Sequence, residues 1–153
     1  MNIYRFRILY ENENDFYRDI EIASNQTFED FHHAILQAIE FDGRELASFY
    51  TCDEEWNKEQ EITLLDMSEE EHKLNIMSES VIADFINTPN QKLIYSYDFL
   101  NLCTFYIHLV KLVPADKNTT YPRCVNSKGT ITKEESMEDI PSDILFDLED
   151  FIN

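Results

Sequence analysis

Glycine is nearly missing from this chain of 153 residues: Gly43 and Gly129 are the only two, where ordinary usage of about 7% would supply roughly 11. Neither GxxxxGK[ST] nor GxGxxG can be written with them, and no serine sits in a GxSxG elbow, which excludes the glycine-rich phosphate cradles and the strained nucleophile turn. Basic residues are scarce as well, 12 Lys+Arg against 31 Asp+Glu, for a formal net charge of −19. Such a molecule repels phosphate backbones and anionic membrane surfaces, so direct nucleic-acid and membrane partners are not expected and a basic protein partner is. The three cysteines, Cys52, Cys103 and Cys124, are odd in number and form no CxxC; that pattern suits a reducing compartment better than a disulfide framework. No run approaches 18 apolar residues, and the opening Asn2-Ile3-Tyr4-Arg5-Phe6-Arg7 has no secretory pattern, so a cytoplasmic location is expected.

The chain does hold material for a core, with 43% hydrophobic and 13% aromatic residues, enough at this length for one domain. Residues 2–10 alternate, with Tyr4, Phe6, Ile8 and Tyr10 on one face and Arg5 and Arg7 on the other, and residues 16–22 read as the returning strand. One register satisfies both faces: Phe6 faces Ile20 and Tyr4 faces Ile22 inside, while Arg7 meets Asp19 and Arg5 meets Glu21 outside. It also sets Tyr10 against Phe16 and Ile8 against Arg18, whose guanidinium is expected at the rim in water. Residues 27–40 form the clearest helix, opened by a capping box at Thr27 and Asp30 and closed at Gly43. Two short strands are expected at 46–52 and 60–65, and a short helix at 78–86 capped by Ser78 or Ser80. The strongest β signal follows, a hairpin pairing residues 93–99 with 103–113 across Leu100-Asn101. Residues 114–129 read as loop, residues 133–139 as an acidic link, and the segment after Pro141-Ser142 as an amphipathic helix with Ile144, Leu145, Leu148, Phe151 and Ile152 on one side.

Signals for chemistry are weak. Glu29, His33 and Glu40 project from one side of the first helix, but without a second ExxH this pattern describes a solvated face. His32 borders the apolar stripe and reads as a boundary residue. Cys52 and Cys103 read as small core residues, and Cys124 as exposed; Cys124 with His108 as base would make a nucleophilic pair for which no local motif speaks. The stripe of Leu93, Tyr95, Tyr97 and Phe99 reads as core rather than as a stacking platform, because basic residues do not accompany it.

Taken together, Tyr95-Ser96-Tyr97-Asp98-Phe99, the long strand ending Leu109-Val110-Lys111-Leu112, and Tyr121-Pro122-Arg123-Cys124-Val125-Asn126-Ser127-Lys128-Gly129 resemble the plasmid pRiA ORF-three-like family of small bacterial α+β proteins. That family's core reads YxYDFGDxWxH, then a strand with LEK, then YPxCxxGxGxxPPED, and the likeness spans roughly residues 1–130. Tyr95, Tyr97, Asp98, Tyr121, Pro122, Arg123, Cys124 and Gly129 match. Leu100-Asn101 replace the family's Gly-Asp, Cys103 and Phe105 stand for its Trp and His, and its Pro-Pro is missing after Gly129. The family has no established activity, so the resemblance implies a fold, a setting on plasmids and mobile elements, and Tyr95, Tyr97, Asp98, Tyr121, Arg123 and Cys124 as candidate binding positions.

The sequence therefore predicts an α+β domain over residues 1–130, an acidic link with a C-terminal helix over 131–153, and no cofactor. The expected function is a non-enzymatic acidic interaction module. The alternatives are a divalent-metal-dependent hydrolase or nucleic-acid-processing enzyme, with Asp98 the first residue to test, and a DNA mimic that occupies a nucleic-acid-binding protein.

Overall fold

The structure is a computed structural model that describes residues 2–11, 13–65, 75–98 and 103–131. Among the described residues, eight strands form one mixed sheet in the order β5-β4-β3-β6-β7-β1-β2-β8. In chain order they are β1 (Asn2–Tyr10), β2 (Glu13–Ala23), β3 (Ala47–Cys52), β4 (Lys58–Thr63), β5 (Asn75–Ile76), β6 (Lys92–Tyr97), β7 (Cys103–Pro114) and β8 (Arg123–Lys128). Among these described strands, β4 and β5 are the one parallel pair. Helix α1 (Phe28–Ile39) and the single turn α2 (Ile82–Phe85) complete the α+β fold, and no helix among the described residues is long and apolar enough to cross a membrane. The expected C-terminal helix and acidic link lie outside the described residues.

The hairpin register is the one the alternation dictates. Tyr4 faces Ile22, Arg5 faces Glu21, Phe6 faces Ile20, Arg7 faces Asp19 and Ile8 faces Arg18. Near the turn the expectation is corrected: an irregularity between Leu9 and Tyr10 pairs Tyr10 with Glu13, although the Tyr10 and Phe16 rings still meet edge to face at 6.1 Å. Arg18 is also corrected. It is only 7% exposed, and its guanidinium donates to the carbonyls of Ala38, Tyr17, Lys128 and Gly129 at 2.7–2.9 Å. Burial of a cation is tolerable here because carbonyls converge on it, one of them at the electronegative end of α1.

Helix α1 begins as predicted: Thr27 Oγ1 accepts from the Asp30 amide and Asp30 accepts from the Thr27 amide. Its end differs. Glu40, not Gly43, takes the left-handed conformation next to the helix, at φ 62°, and Gly43 follows in the loop at φ 76°. The chain turns early because Phe41 returns to the core, 8% exposed and 5.4 Å from the Tyr97 ring. Phe31 of α1 stacks on Phe6 at 4.9 Å and on Phe49 at 5.2 Å, and Phe49 meets Tyr95 at 4.7 Å. This aromatic line bolts the helix across β1, β3 and β6, each fully buried ring contributing about 2–3 kcal/mol of transfer free energy.

Three further expectations change. The helix at 78–86 shrinks to α2 after a 3₁₀ turn at Met77–Glu79; Ser80 donates to the Ile76 carbonyl, and neither serine caps α2. Strand β5 had no sequence signal. The segment read as loop contains β8, paired with β2; its residues are polar because it is an edge strand held by side chains of its neighbour.

Candidate functional site

The family-matching positions fall into two groups. Tyr95 and Tyr97 lie on β6 at 0% and 1% exposure; Asp98 follows them, 8% exposed, at φ 62° and with its amide donating to the Leu46 carbonyl. Tyr121, Arg123 and Cys124 lie at the other side of the sheet, where β8 begins. Strands β7, β1 and β2 intervene, so the groups stand about 19 Å apart at ordinary strand spacing. The same order separates Cys124 on β8 from His108 on β7, so no thiol–imidazole pair forms.

Within the first group the two tyrosine hydroxyls are spent on internal hydrogen bonds. His32, read from sequence as a boundary residue, is corrected to a core residue at 2% exposure, with Nδ1 2.6 Å from the Tyr95 hydroxyl. Burial, with the nearby charge of His33, lowers its pKa to about 4, and burial raises Tyr95 well above the ordinary tyrosine value. Both are therefore neutral at pH 7. The Tyr97 hydroxyl donates to Asp42 and accepts from the Glu45 amide. Phe105, where the family pattern has histidine, stacks on Tyr10 at 5.0 Å and lies 6.1 Å from Tyr95, closing this region with hydrocarbon. Cys52 is buried, Cys103 half-buried and Cys124 exposed, all in the reduced form.

Arg123 of the second group belongs to an ion-pair lattice on the sheet face away from the helices. Glu21, 2% exposed, accepts from Arg5 at 2.6 Å and from Arg123 at 2.9 Å. Asp19, equally buried, accepts from both nitrogens of the Arg7 fork at 2.8 Å and from Asn126. Burial alone would raise both carboxyls; the hydrogen bonds and charges of their arginines outweigh it and hold each below the ordinary range. Tyr121 accepts from Gln26 through its carbonyl and from the Asp116 amide through its hydroxyl, fixing the approach to β8. Cross-strand pairing sets Lys58 beside Cys52, Cys52 beside Lys92, Lys92 beside His108, His108 beside Arg7 and Arg7 beside Asp19 in one row. Lys92 and Lys58 also cover the rings of Trp56 and Tyr50, and Arg7 that of Tyr17.

The consequence is segregation of charge. Arg5, Arg7, Lys58, Lys92, Lys111, Arg123 and Lys128 all share registers on this open face, and Arg18 is buried. Residues 24–57 and 75–91 hold a single cation, Arg44, which is 84% exposed and 3.9 Å from Asp42. The same residues carry Glu29, Asp30, Glu40, Asp42, Glu45, Asp53, Glu54, Glu55, Glu79 and Asp84. These acids sit on α1, the loop after it, the β3–β4 turn and the α2 segment. Sequence reasoning found the excess of acid but not its placement, nor the role of Asp19 and Glu21 in anchoring β8. The facing Arg5 and Arg7 were the available signal.

Among the described residues, no group of three or more His, Cys, Asp or Glu is arranged to hold a metal ion. No curated protein matches the chain. The crystal structure of a protein of unknown function, MM3350 from Methanosarcina mazei Go1, is similar in fold, with a TM-score of 0.74 at 20% identity over 90% of this chain and 78% of that one. The profile of the plasmid pRiA4b ORF-3-like proteins matches residues 2–141, through the buried Tyr95–Asp98 segment and the anchored start of β8 alike, and the chain belongs to that family.

Proposed function

We propose that the protein is a non-enzymatic interaction module that engages a basic protein partner through the acidic surface of α1, its following loop and the neighbouring turns. The observation that carries this reading is the segregation of charge. Seven cations lie on the open sheet face, and residues 24–57 and 75–91 hold ten acids against the single cation Arg44, with Lys92 of the open face reaching only the β3–β4 turn, at the Glu54 carbonyl. Such a surface accelerates encounter with a cation-rich partner, and the acceleration falls as salt rises. Four buried polar groups serve structure: His32 and Tyr95 bond to each other in the core, and Asp19 and Glu21 neutralise arginines. The setting on plasmids and mobile elements, and a reducing cytoplasm that keeps the three cysteines as thiols, belong to the same proposal.

The test is retention of lysate proteins on the immobilised chain at low and moderate salt, beside a variant carrying Asp53→Asn, Glu54→Gln, Glu55→Gln and Glu59→Gln. Retained partners should be basic, should be lost as salt rises, and should bind the variant less. Retention that ignores both salt and the substitutions overturns the reading. Release by added duplex DNA identifies the partner as a nucleic-acid-binding protein and the module as a DNA mimic.

A further inference from the structure

Half of the open sheet face is short of acid. Strands β1, β7 and β8 contain no Asp or Glu, and the acids of β2 within their register, Asp19 and Glu21, are each 2% exposed and already paired with arginines. Arg5 and Arg123 share the one carboxylate of Glu21, and the exposed Lys111 and Lys128 lie in the same registers, so this half keeps a surplus of positive charge. Beside the cations runs an apolar row. Lys128 pairs with Tyr17, Tyr17 with Leu9, and Leu9 with Tyr106; the last three are half-buried, and Arg7 lies 4.4 Å over the Tyr17 ring. Helix α1 packs on the opposite face, against Phe6. At the hairpin end the row is bordered by the exposed Asp15 and by Glu11, which accepts from the Tyr106 hydroxyl at 3.3 Å.

We propose that this surface is the seat of the chain's own residues 142–152, whose apolar side lies along Tyr17, Leu9 and Tyr106 and whose acids meet the surrounding arginines and lysines. The inference is independent of the interaction-module reading, whose acids lie on the helix side. Three observations select the occupant. First, residues 132–153 hold eight acids against the single cation Lys133, the charge that this half of the face lacks, while the ten acids of the helix and loop segments repel them. Second, Ile144, Leu145, Leu148 and Phe151 recur at the spacing of one helix side, flanked by Asp147 and Glu149; eleven helical residues measure about 16 Å and the span from β8 to β7 about 14 Å. Third, the chain leaves the sheet at the end of this row. Lys128, opposite Tyr17, is the last residue of β8, and Arg18 fixes the Lys128 and Gly129 carbonyls. From Ile131, which packs against the core, residues 132–141 extend up to about 33 Å, enough to round the sheet margin. So short a link holds the segment at an effective concentration on the order of millimolar, which favours it over the same segment of a second copy.

The experiment compares NMR spectra and hydrogen exchange of the isotope-labelled full chain with those of two full-length variants at low salt. One carries Leu145→Ser, Leu148→Ser and Phe151→Ser; the other carries Asp143→Asn, Asp147→Asn, Glu149→Gln and Asp150→Asn. Docking slows exchange of the amides of 144–152 about tenfold or more, and both variants lose that protection. In both, the amides of Leu9, Tyr17, Tyr106, Lys111 and Lys128 shift while those of α1 stay in place, which also shows that the body of each variant is folded. Unprotected amides at 144–152 in the unsubstituted chain, with open-face amides alike in all three chains, overturn the proposal. Shifts that fall on α1 and its following loop place the segment on the helix side and overturn it as well. Protection that survives the four charge substitutions overturns the electrostatic selection of this face. Open-face shifts that grow with protein concentration identify the segment of a second copy as the occupant and overturn the intrachain assignment.

Discussion

Arg18 shows how one buried cation can join three elements. Its side chain lies over the Phe16 ring, 4.3 Å from the centroid, and reaches the carbonyl of Ala38 on α1 and those of Lys128 and Gly129 at the end of β8. Arg18→Met keeps the hydrocarbon stem and leaves these carbonyls without their donor. A loss on the order of 3 kcal/mol is expected from denaturant unfolding, and a loss below about 0.5 kcal/mol would show that water replaces the guanidinium at little cost. His32 makes an independent prediction through pH. Its folded-state pKa, lowered to about 4 by burial and by His33, lies below the ordinary 6.5, so the unfolded chain binds the proton more readily. Its contribution is complete above pH 6.5, declines as pH falls from 6.5 toward 4, and amounts to about 3 kcal/mol at most. Stability measured across that interval should fall, and the double variant His32→Leu/Tyr95→Phe should flatten the decline without orphaning the tyrosine hydroxyl. A flat wild-type profile would mean that the imidazole is not held neutral in the core.

At the scale of elements, β8 depends on side chains to an unusual degree. It is an edge strand of six residues, Arg123–Lys128, with few apolar groups of its own to bury, and it is tied to β2 by Arg123 on Glu21 and Asn126 on Asp19. Glu21→Gln leaves Arg5 and Arg123 facing one neutral acceptor. The cost should be about 2 kcal/mol, moderated by the solvent exposure of both arginines, and hydrogen exchange should quicken in β8 before it does in β1 or β7. Uniform exchange across the sheet would show that backbone pairing alone holds the strand.

For the molecule as a whole, segregated charge sets a balance between self-repulsion and reach. Acidic residues gather at the start of α1 and in the loops and turns, and at −19 they oppose compaction at neutral pH, so screening should stabilise the fold. A thermal midpoint rising by roughly 3 °C or more between about 20 and 200 mM sodium chloride is the expected result. A midpoint that falls instead would place the larger share of the electrostatic free energy in the attractive lattice of the open face.

The sequence by itself determined the elements whose signals are local. The period of two in residues 2–10 and 16–22 set the hairpin register, because a slip of one residue would move every aromatic to the wrong face. Thr27 and Asp30 set the start of α1, because the capping box uses only neighbouring backbone. Tertiary structure decided whatever depended on residues far apart in the chain. β8 lacks an apolar alternation and exists through Asp19 and Glu21, about a hundred residues upstream. Glu40 rather than Gly43 ends α1 because Phe41 is drawn to Tyr97. His32 is buried because Tyr95, 63 residues on, supplies its partner. The excess of acid was legible in composition; its separation from the cations was not, since that follows from strand order, which only long-range pairing fixes.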